Sequence, residues 1–220
     1  MAYKTSDKYK EEIYSGGTDN NLSFRYGEDY IEDSSPYISS LKLKNNLLKT
    51  TNTTFDLSNF VSNEIEIVVR DYPIEDLTKE FYFELGTLVD NEYEYVPIGY
   101  YKIKDNPTTA YGKTTYKLFD RAINFDFNYD AEPLITQNGG SVTISQILQD
   151  ICSKAKVELA TTDFPNKGKL VGIYDNSIKA REYVSYIAEL ACSVAKIGRD
   201  GKLHLIPIKK ENNNAIELDE

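Results

Sequence analysis

The stretch KLFDRAINFDFNYD (residues 117–130) is the point at which two different sequence patterns meet. Before it, apolar and polar residues alternate as they do in a strand, and the alternation runs into Asp120. A short apolar turn follows, and then Asp126, Asn128 and Asp130 occupy every second position. These side-chain oxygens either begin a metal-binding loop or form the acidic edge of a structural corner. A metal-binding loop would indicate a protein with a chemical function, and a structural corner would indicate a structural protein.

The oxygen spacing matches the first positions of a calcium loop of the EF-hand type, but the rest of the loop does not match. Such a loop needs glycine at its sixth position and glutamate at its twelfth, where this chain has Ala131 and Gln137. The alternation also fits a strand that buries Phe125, Phe127 and Tyr129 and turns the acids outward. We therefore predict an outward acidic edge and no metal ligands.

The chain before this stretch predicts a mainly-β domain. Residues 5–15 are typical of a short surface helix, with Thr5 or Ser6 as its cap and Gly16 and Gly17 at its end. Beyond it, short alternating runs are separated by Gly, Pro, Asn and Asp, and many such strands indicate a sandwich or barrel. The predicted strands cover residues 21–26, 37–47, 60–70, 80–89, 93–103 and 114–120, with a hairpin connection at 105–115.

The chain after this stretch changes to the helical period. Apolar residues fill one helix face between residues 144 and 155, and Thr143 with Gln146 forms a capping box at its start. A second helix is predicted within residues 179–193. The Asp-Gly pair at 200–201 predicts the turn of a terminal hairpin.

Together these patterns predict an α+β fold in three parts. Residues 1–124 form a mainly-β, barrel- or sandwich-like domain with a short N-terminal helix. Residues 125–210 form a small α+β domain with two helices and a terminal hairpin, and residues 211–220 form a disordered tail or linker. A chain of 220 residues is long enough for two small domains, each with its own core.

The composition argues against several classes of partner. The formal net charge is −10, from 25 Lys and Arg against 35 Asp and Glu, and no basic cluster stands out along the chain. Binding to nucleic acid or to an anionic membrane surface needs such a cluster, so neither is expected. The N-terminus lacks an apolar segment of signal-peptide type, and no run reaches membrane-spanning length. We therefore expect synthesis in the cytoplasm and no membrane insertion.

No residue pattern predicts an active site. Cys152 and Cys192 lie in apolar helix stripes and read as small core residues rather than as a disulfide. His204 reads as a solvent-facing strand residue. We therefore predict no catalytic, cofactor-binding or metal-binding residue, no cofactor and no enzymatic activity. Adjacent acids that could serve a glycosidase lie in loops and turns: Glu28 with Asp29, Glu32 with Asp33, and Glu75 with Asp76.

The order of several short motifs supplies a further signal. The motifs are the strand GYYKI (99–103), the strand YKLFD (116–120), a helix that starts with Arg181 and Glu182 and continues through IAE (187–189), and the hairpin DGKL (200–203). In this order, and over nearly the whole chain, they resemble the N-terminal part of tail hub proteins of phages and prophages of Gram-positive bacteria. Each motif is weak alone; the order and spacing carry the resemblance.

The resemblance implies a structural component of a phage or prophage tail tip or baseplate hub, assembled at the end of the tail tube. It implies a place in the virion tail, and partners among the tail tube or distal tail protein and other baseplate proteins. It implies a homotrimer in the full-length protein, with ring-forming strands within 36–45, 63–71 and 93–120. It also makes residues 117–130 the corner between the two domains, with Asp120 capping the turn.

A second hypothesis for the function remains open at this point. Tyrosine is abundant, with 18 residues, and exposed rings such as Tyr93, Tyr95, Tyr100 and Tyr101 could form the platform of a carbohydrate-binding module. The sugar-binding reading predicts a concave aromatic groove on one subunit. The hub reading predicts aromatic side chains spread over flat faces that another chain covers.

Overall fold

A computed structural model of the protein describes residues 4–15, 19–34, 36–44, 49–51, 54–56, 60–70, 74–172 and 175–208. The predicted α+β class is confirmed: a large antiparallel sheet is combined with α-helices and a C-terminal hairpin. The predicted tail at 211–220 lies outside the described residues, as do Gly16 and Gly17. The boundary at 124/125 stays a prediction.

The strands of the large sheet come mostly from the first half of the chain. Separate two-stranded pairs are β4–β5, β11–β12 and β13–β14. The strands are β1 (Asn20–Tyr26), β2 (Asp29–Ile31), β3 (Ile38–Lys44), β4 (Lys49–Thr51), β5 (Thr54–Asp56), β6 (Glu64–Val69), β7 (Glu80–Val89), β8 (Glu92–Ile103), β9 (Thr108–Ala110), β10 (Lys113–Asp120), β11 (Val142–Thr143), β12 (Leu170–Val171), β13 (Ser193–Ile197) and β14 (Leu203–Pro207).

The large sheet curls around one core. Its strands run in the order β2-β1-β7-β8-β10-β6-β3, all antiparallel, and β9 pairs with β10. Ser34 links the two ends, because its amide donates to Leu22 O (3.0 Å) and its carbonyl accepts from Ile38 N (2.7 Å). Alternate side chains therefore point to a shared interior. The side chains most deeply buried in it are Phe24, Ile65, Ile67, Phe81, Phe83 and Leu118.

Helix α1 (Asp7–Ser15) lies against β7. The Ser6 hydroxyl accepts from Tyr9 N at 3.0 Å, so one of the two predicted caps is the observed one. The Ser6 hydroxyl also donates to Glu94 on β8 at 2.6 Å. Tyr9 is the buried residue of the helix, which is otherwise on the surface as predicted.

The region from Arg121 to Ile208, called the helical region below, has its own core. Helices α2 (Glu132–Gln137), α3 (Ile144–Ala155) and α4 (Ala180–Leu190) pack with the β13–β14 hairpin. The predicted capping box is confirmed, and it involves both the side chain and the backbone of Thr143 and Gln146. Helix α2 was not predicted. In the described part of the chain, no helix combines the length and apolarity needed to cross a membrane.

The strand expected at residues 125–130 is wrong. A 3-10 turn covers Arg121–Phe125, and the following residues form one isolated bridge, between Asn128 and Lys179. The predicted burial of the three aromatic residues is nevertheless close to the observed one, because Phe125 and Tyr129 are fully buried and Phe127 is partly buried. The aromatic residues anchor the chain in the helical core without extending the sheet.

Candidate interaction surface

The stretch at 117–130 forms the joint between the sheet and the helical region. Strand β10 ends at Asp120, and the 3-10 turn follows directly. The Asp120 carboxylate accepts from Ala122 N at 3.1 Å, which satisfies a free amide at the start of the turn. The capping role that the resemblance implied for Asp120 is therefore confirmed.

Asp120 is buried, with 3 % of its surface exposed. Its Oδ2 accepts from Asn63 N (2.9 Å) and from Asn63 Nδ2 (2.8 Å), so it also fixes the segment that enters β6. Burial raises the pKa of Asp120 to about 6, although the hydrogen bonds from Asn63 and Ala122 and the charge of Arg181 act in the opposite direction. Among the described residues, Asn63 Oδ1 is a buried acceptor without a partner.

Arg181, at the start of α4, holds the other side of the joint. Its Nη1 donates to Phe60 O at 2.9 Å, and its Nη2 donates to Ala122 O at 2.8 Å. Its Nε donates to Asp126 Oδ1 at 2.7 Å. The guanidinium thus joins α4 to two other segments, one at Phe60 and one at Ala122–Asp126, with the multiple donors that make arginine suited to such positions.

Arg121 attaches the terminal hairpin to the outer face of the sheet. Its Nε and Nη2 donate to the two oxygens of Glu80 at 2.8 and 2.6 Å. Its guanidinium lies 4.3 Å from the ring centroid of Tyr100, a cation–π distance. Its Nη1 donates to Gly201 O at 3.3 Å, which brings the turn of the hairpin onto β8.

Gly201 shows why the predicted Asp-Gly turn matters beyond the hairpin. Its φ is +73°, a conformation that favours glycine. A Cβ at this position would lie 2.6 Å from Arg121 Nη1 and 2.8 Å from Tyr100 Cδ2. The residue therefore permits both the turn and its close approach to the sheet.

The two acids of the alternating set, Asp126 and Asp130, have separate structural partners. Asp126 accepts from Lys104 at 2.9 Å as well as from Arg181. Burial is the largest single effect and raises the pKa of Asp126, but the hydrogen bonds and charges of Lys104 and Arg181 together outweigh it, so the net pKa is lowered. Asp130 accepts from Glu132 N at 2.9 Å at the start of α2. In the described part of the chain, no group of three or more His, Cys, Asp or Glu residues is arranged to hold a metal. These acids form the structural corner.

A groove with a volume of about 1180 Å³, called the groove below, lies between the sheet and the terminal hairpin. The hairpin side of it carries Lys196, Arg199, Asp200, His204 and Ile206. Asp120, Asn63 and Tyr101 also line it. On the sheet side, its lining is mostly aliphatic and includes Leu22, Leu41, Leu43, Leu85, Val96 and Ile98; the rings of Tyr100 and of Tyr9 from α1 also line it.

The hairpin side of the groove is polar and partly cationic. Burial lowers the pKa of Lys196, although the charge of Asp120 opposes this effect. His204 Nε2 lies 3.0 Å from both carboxylate oxygens of Asp200. Burial raises the pKa of Asp200, but the bonds from His204 and from Lys202 N outweigh it, and the net pKa is lowered. The prediction that His204 faces open solvent is wrong, because its side chain lines the groove.

The four tyrosines that suggested a sugar platform do not share one surface. Tyr101 is 3 % exposed and belongs to the interior of the sheet. Tyr100 points to the other face, beneath Arg121. Tyr93 and Tyr95 are neighbours with ring centroids 6.1 Å apart, and the Tyr95 hydroxyl accepts from Asn21. Tyr100 and Tyr101 also line the groove, whereas Tyr93 and Tyr95 are not among its lining residues.

The remaining candidate residues are also distributed over the molecule. Cys152 is buried, as predicted, and burial raises its pKa to about 12. Cys192 is exposed, so its placement in the core is wrong; it follows α4 with a φ of +48°. Both cysteines are free. The paired acids lie at mostly exposed positions near β2 or before β7, and Asp76 accepts from Thr78 N within its own turn.

Two solved structures that are described as tail proteins are similar in fold to this chain. One is the 43 kDa tail protein of prophage MuSo2 from Shewanella oneidensis, with a TM-score of 0.50 and 10 % identity over 87 % of this chain and 54 % of that chain. The other is a tail protein from Neisseria meningitidis MC58, with a TM-score of 0.52 and 13 % identity over 84 % of this chain and 51 % of that chain.

At these identities the likeness establishes the fold. The chain spans about half the length of the two tail proteins that it resembles. No family model matches the chain. No curated protein matches it in sequence.

Proposed function

We propose that this chain is a structural component of a phage or prophage tail, and that it forms part of the tail-tip or baseplate hub at the end of the tail tube. The observation that carries the proposal is the likeness of fold to two proteins described as tail proteins, over 87 % and 84 % of the chain. This coverage is too large for the likeness to rest on the sheet or the helical region alone. The motif order of the sequence supports the finer assignment to a hub of the Gram-positive type.

The construction of the joint fits a structural role. Arg181 and Asp120 connect segments that are 121 and 57 residues apart in sequence. Such long-range bonds hold two units in a fixed relation, which a part of a repeated assembly needs. The candidate residues for chemistry have structural partners or lie apart from one another, so the proposed role is assembly without turnover.

The proposed partners are the tail tube or distal tail protein and other baseplate proteins. In the full-length protein we propose a homotrimer around the tail axis, with no nucleic acid partner and no membrane insertion. The proposed place of action is the virion tail, after synthesis in the cytoplasm of the bacterial host. The net charge of −10 is consistent with binding to other proteins.

The direct test is to locate the chain in particles. Tail particles from the genome that encodes it would be labelled with a gold-conjugated antibody against this chain and viewed by electron microscopy. Label at the tube end that meets the host would support the proposal. Label along the tube, or particles without label, would contradict it.

Light scattering after size exclusion, over a range of concentrations, tests the trimer. A mass near three times 25.1 kDa would show that the closing surface lies within these residues. A monomer at all concentrations would contradict a trimer formed by these residues alone.

A carbohydrate-binding module is the second candidate, and one observation favours it. Tyr93 keeps 40 % of its surface exposed next to Tyr95. A titration with cell-wall oligosaccharides, followed by tyrosine fluorescence, separates the two functions. A saturable change that is lost in Tyr93→Ala would favour sugar binding, and a flat titration would count against it.

A further inference from the structure

The hairpin β9–β10 carries a tyrosine at its tip. Ala110 pairs with Lys113, so Tyr111 and Gly112 alone form the turn, with φ angles of +52° and +73°. A two-residue turn with two positive angles strongly prefers Asn-Gly or Gly-Gly, and a bulky residue is strained there. The Tyr111 side chain is fully exposed, so no packing within the described part of the chain offsets this strain. Such an outlier is typical of a residue with a functional contact.

The groove combines exposed aliphatic side chains with a buried acceptor. Leu43 and Leu85 in its lining are 45 % and 37 % exposed. Asn63 also lines it and is 7 % exposed, and its Oδ1 is the buried acceptor without a partner among the described residues. A buried acceptor needs a donor, and the charges of Lys4 and Arg199 in the same lining disfavour a cationic one. The groove is therefore suited to an apolar side chain with a neutral donor.

A tyrosine side chain has both properties, because its ring is apolar and its hydroxyl is a neutral donor. The tip that presents Tyr111 is uncharged from Thr108 to Gly112. The rings of Tyr9 and Tyr100 already line the groove, so aromatic contacts with a further ring are available there. The tip of the hairpin thus has the chemistry that the groove requires.

The tip and the groove lie at opposite ends of β10. The strand begins at Lys113, beside the tip, and ends at Asp120, which lines the groove. Its eight residues extend over about 23 Å, at about 3.3 Å per residue. Tyr111 is therefore too far away to enter the groove of its own molecule, and a contact between the two features joins two copies. Because each copy contributes a different surface, the contact is head-to-tail, and such contacts can close into a ring.

We propose that Tyr111 of one copy binds in the groove of the next copy, with its ring against the aliphatic lining and its hydroxyl donating to Asn63 Oδ1. The inference names the contact surfaces of the proposed homotrimer and rests on that proposal. In a closed ring every copy inserts one tip and receives another. The strained turn and the exposed groove are then both used.

Photo-cross-linking of the intact chain tests the contact. The photoreactive amino acid benzoylphenylalanine replaces Tyr111, and we expect cross-linked dimers and trimers whose yield rises with protein concentration. Mass spectrometry of a 1:1 mixture of ¹⁵N-labelled and unlabelled chains should place the cross-links between different copies, on lining residues such as Leu43, Leu85 and Val96. The same replacement at Tyr186, which is 53 % exposed on α4, is the control and should give at least about tenfold less product.

Substitutions separate a contact residue from a structural one. Tyr111→Asn supplies the residue that the turn prefers, so the free energy of unfolding should stay the same or rise. Self-association, measured by analytical ultracentrifugation, should nevertheless weaken at least about tenfold. Tyr111→Phe removes the hydroxyl alone and should weaken it less. Leu43→Asp in the groove should reproduce the tenfold loss, whereas Leu77→Asp, at a similarly exposed leucine outside the lining, should not.

Three results would overturn the inference. The first is a yield from position 111 no higher than from position 186. The second is a set of cross-links that map outside the groove. The third is equal self-association of Tyr111→Asn and the parent chain; a trimeric mass that this variant leaves unchanged would keep the trimer and remove the contact. The gold labelling of particles is read separately, so label at the tube end together with any of these results would keep the tail function.

Discussion

The joint and the groove lie side by side and share Asp120, but they are built in opposite ways. At the joint, charged and polar groups are buried or partly buried and, apart from Asn63 Oδ1, are hydrogen-bonded: Arg181 makes bonds to Phe60, Ala122 and Asp126. In the groove, aliphatic side chains such as Leu43 remain exposed. The difference indicates that the joint is a structural connection, whereas the groove is suited to bind another group. Substitutions at the joint should therefore cost stability, whereas substitutions in the groove should cost binding.

The largest effect is expected for Arg181→Ala. The change leaves two backbone carbonyls without this donor and leaves Asp126 with Lys104 as its remaining partner in a partly buried site. We expect the free energy of unfolding to fall by about 3 kcal/mol. Urea unfolding followed by circular dichroism measures it. Arg70→Ala is a matched control, because Arg70 is exposed and bonds to Ser39; it should cost less than about 0.5 kcal/mol. Similar costs for the two variants would mean that Arg181 is not the main connection.

The next effect concerns the dependence of stability on pH through Asp120. Its folded pKa of about 6 lies above its ordinary value of 3.8, so the folded state holds the proton more tightly. The stability that this proton contributes is full below pH 3.8 and is lost as pH rises through about 6. Asp120→Asn removes the titration, and the partnerless Asn63 Oδ1 could accept from the new amide after a flip of the Asn63 side chain.

Urea unfolding at several pH values measures the difference between Asp120→Asn and the parent chain. We expect the variant to gain about 2 kcal/mol relative to the parent between pH 4 and pH 7. Taking the difference cancels the groups that titrate in the opposite direction, among them Asp126 and Asp200, whose pKa values are lowered. A difference that stays constant with pH would show that Asp120 is ionised throughout this range.

A smaller effect is expected where the hairpin meets the sheet, and two glycines with the same backbone angle isolate it. Gly201 and Gly112 both have a φ of +73°, but a Cβ meets Arg121 only at Gly201, and nothing lies within 4 Å at Gly112. Gly112→Ala should cost about 1 kcal/mol from backbone strain alone. Gly201→Ala should cost about 1–2 kcal/mol more, because Arg121 must move. If the two variants lose the same free energy of unfolding, the hairpin turn accommodates the added Cβ without disturbing Arg121.

The sequence predicted the parts of this comparison that depend on local patterns. The capping box at Thr143 and the turn at Gly201 are set by neighbours in the chain, and both were predicted. The partners of Arg181 could not be predicted, because Phe60 is 121 residues away and no local pattern connects the two residues. Asp120 combines both kinds of contact. Its cap on Ala122 is local and was inferred from the resemblance. Its bonds to Asn63 join residues that are 57 apart in sequence and were not inferred.

Two errors have equally physical causes. His204 alternates with two leucines, which correctly places it opposite the core. Its side chain is nevertheless only 15 % exposed, because it pairs with Asp200 in the lining of the groove, and alternation alone cannot show this. Its pairing with Asp200 is only four residues away and was a detectable signal. Cys192 continues the apolar stripe of α4, but the helix ends at Leu190 and the backbone turns to a φ of +48°, which moves the side chain to the surface.

The smallest effect on stability should come from the groove itself. Leu43→Ser removes an aliphatic side chain that is already 45 % exposed, so we expect less than about 1 kcal/mol in urea unfolding. Leu77→Ser is the control, because Leu77 is 38 % exposed in a turn away from the groove and should cost about the same. If Leu43→Ser instead costs as much stability as Arg181→Ala, the groove is part of the folded core, and the contrast between a complete joint and a receptive groove fails.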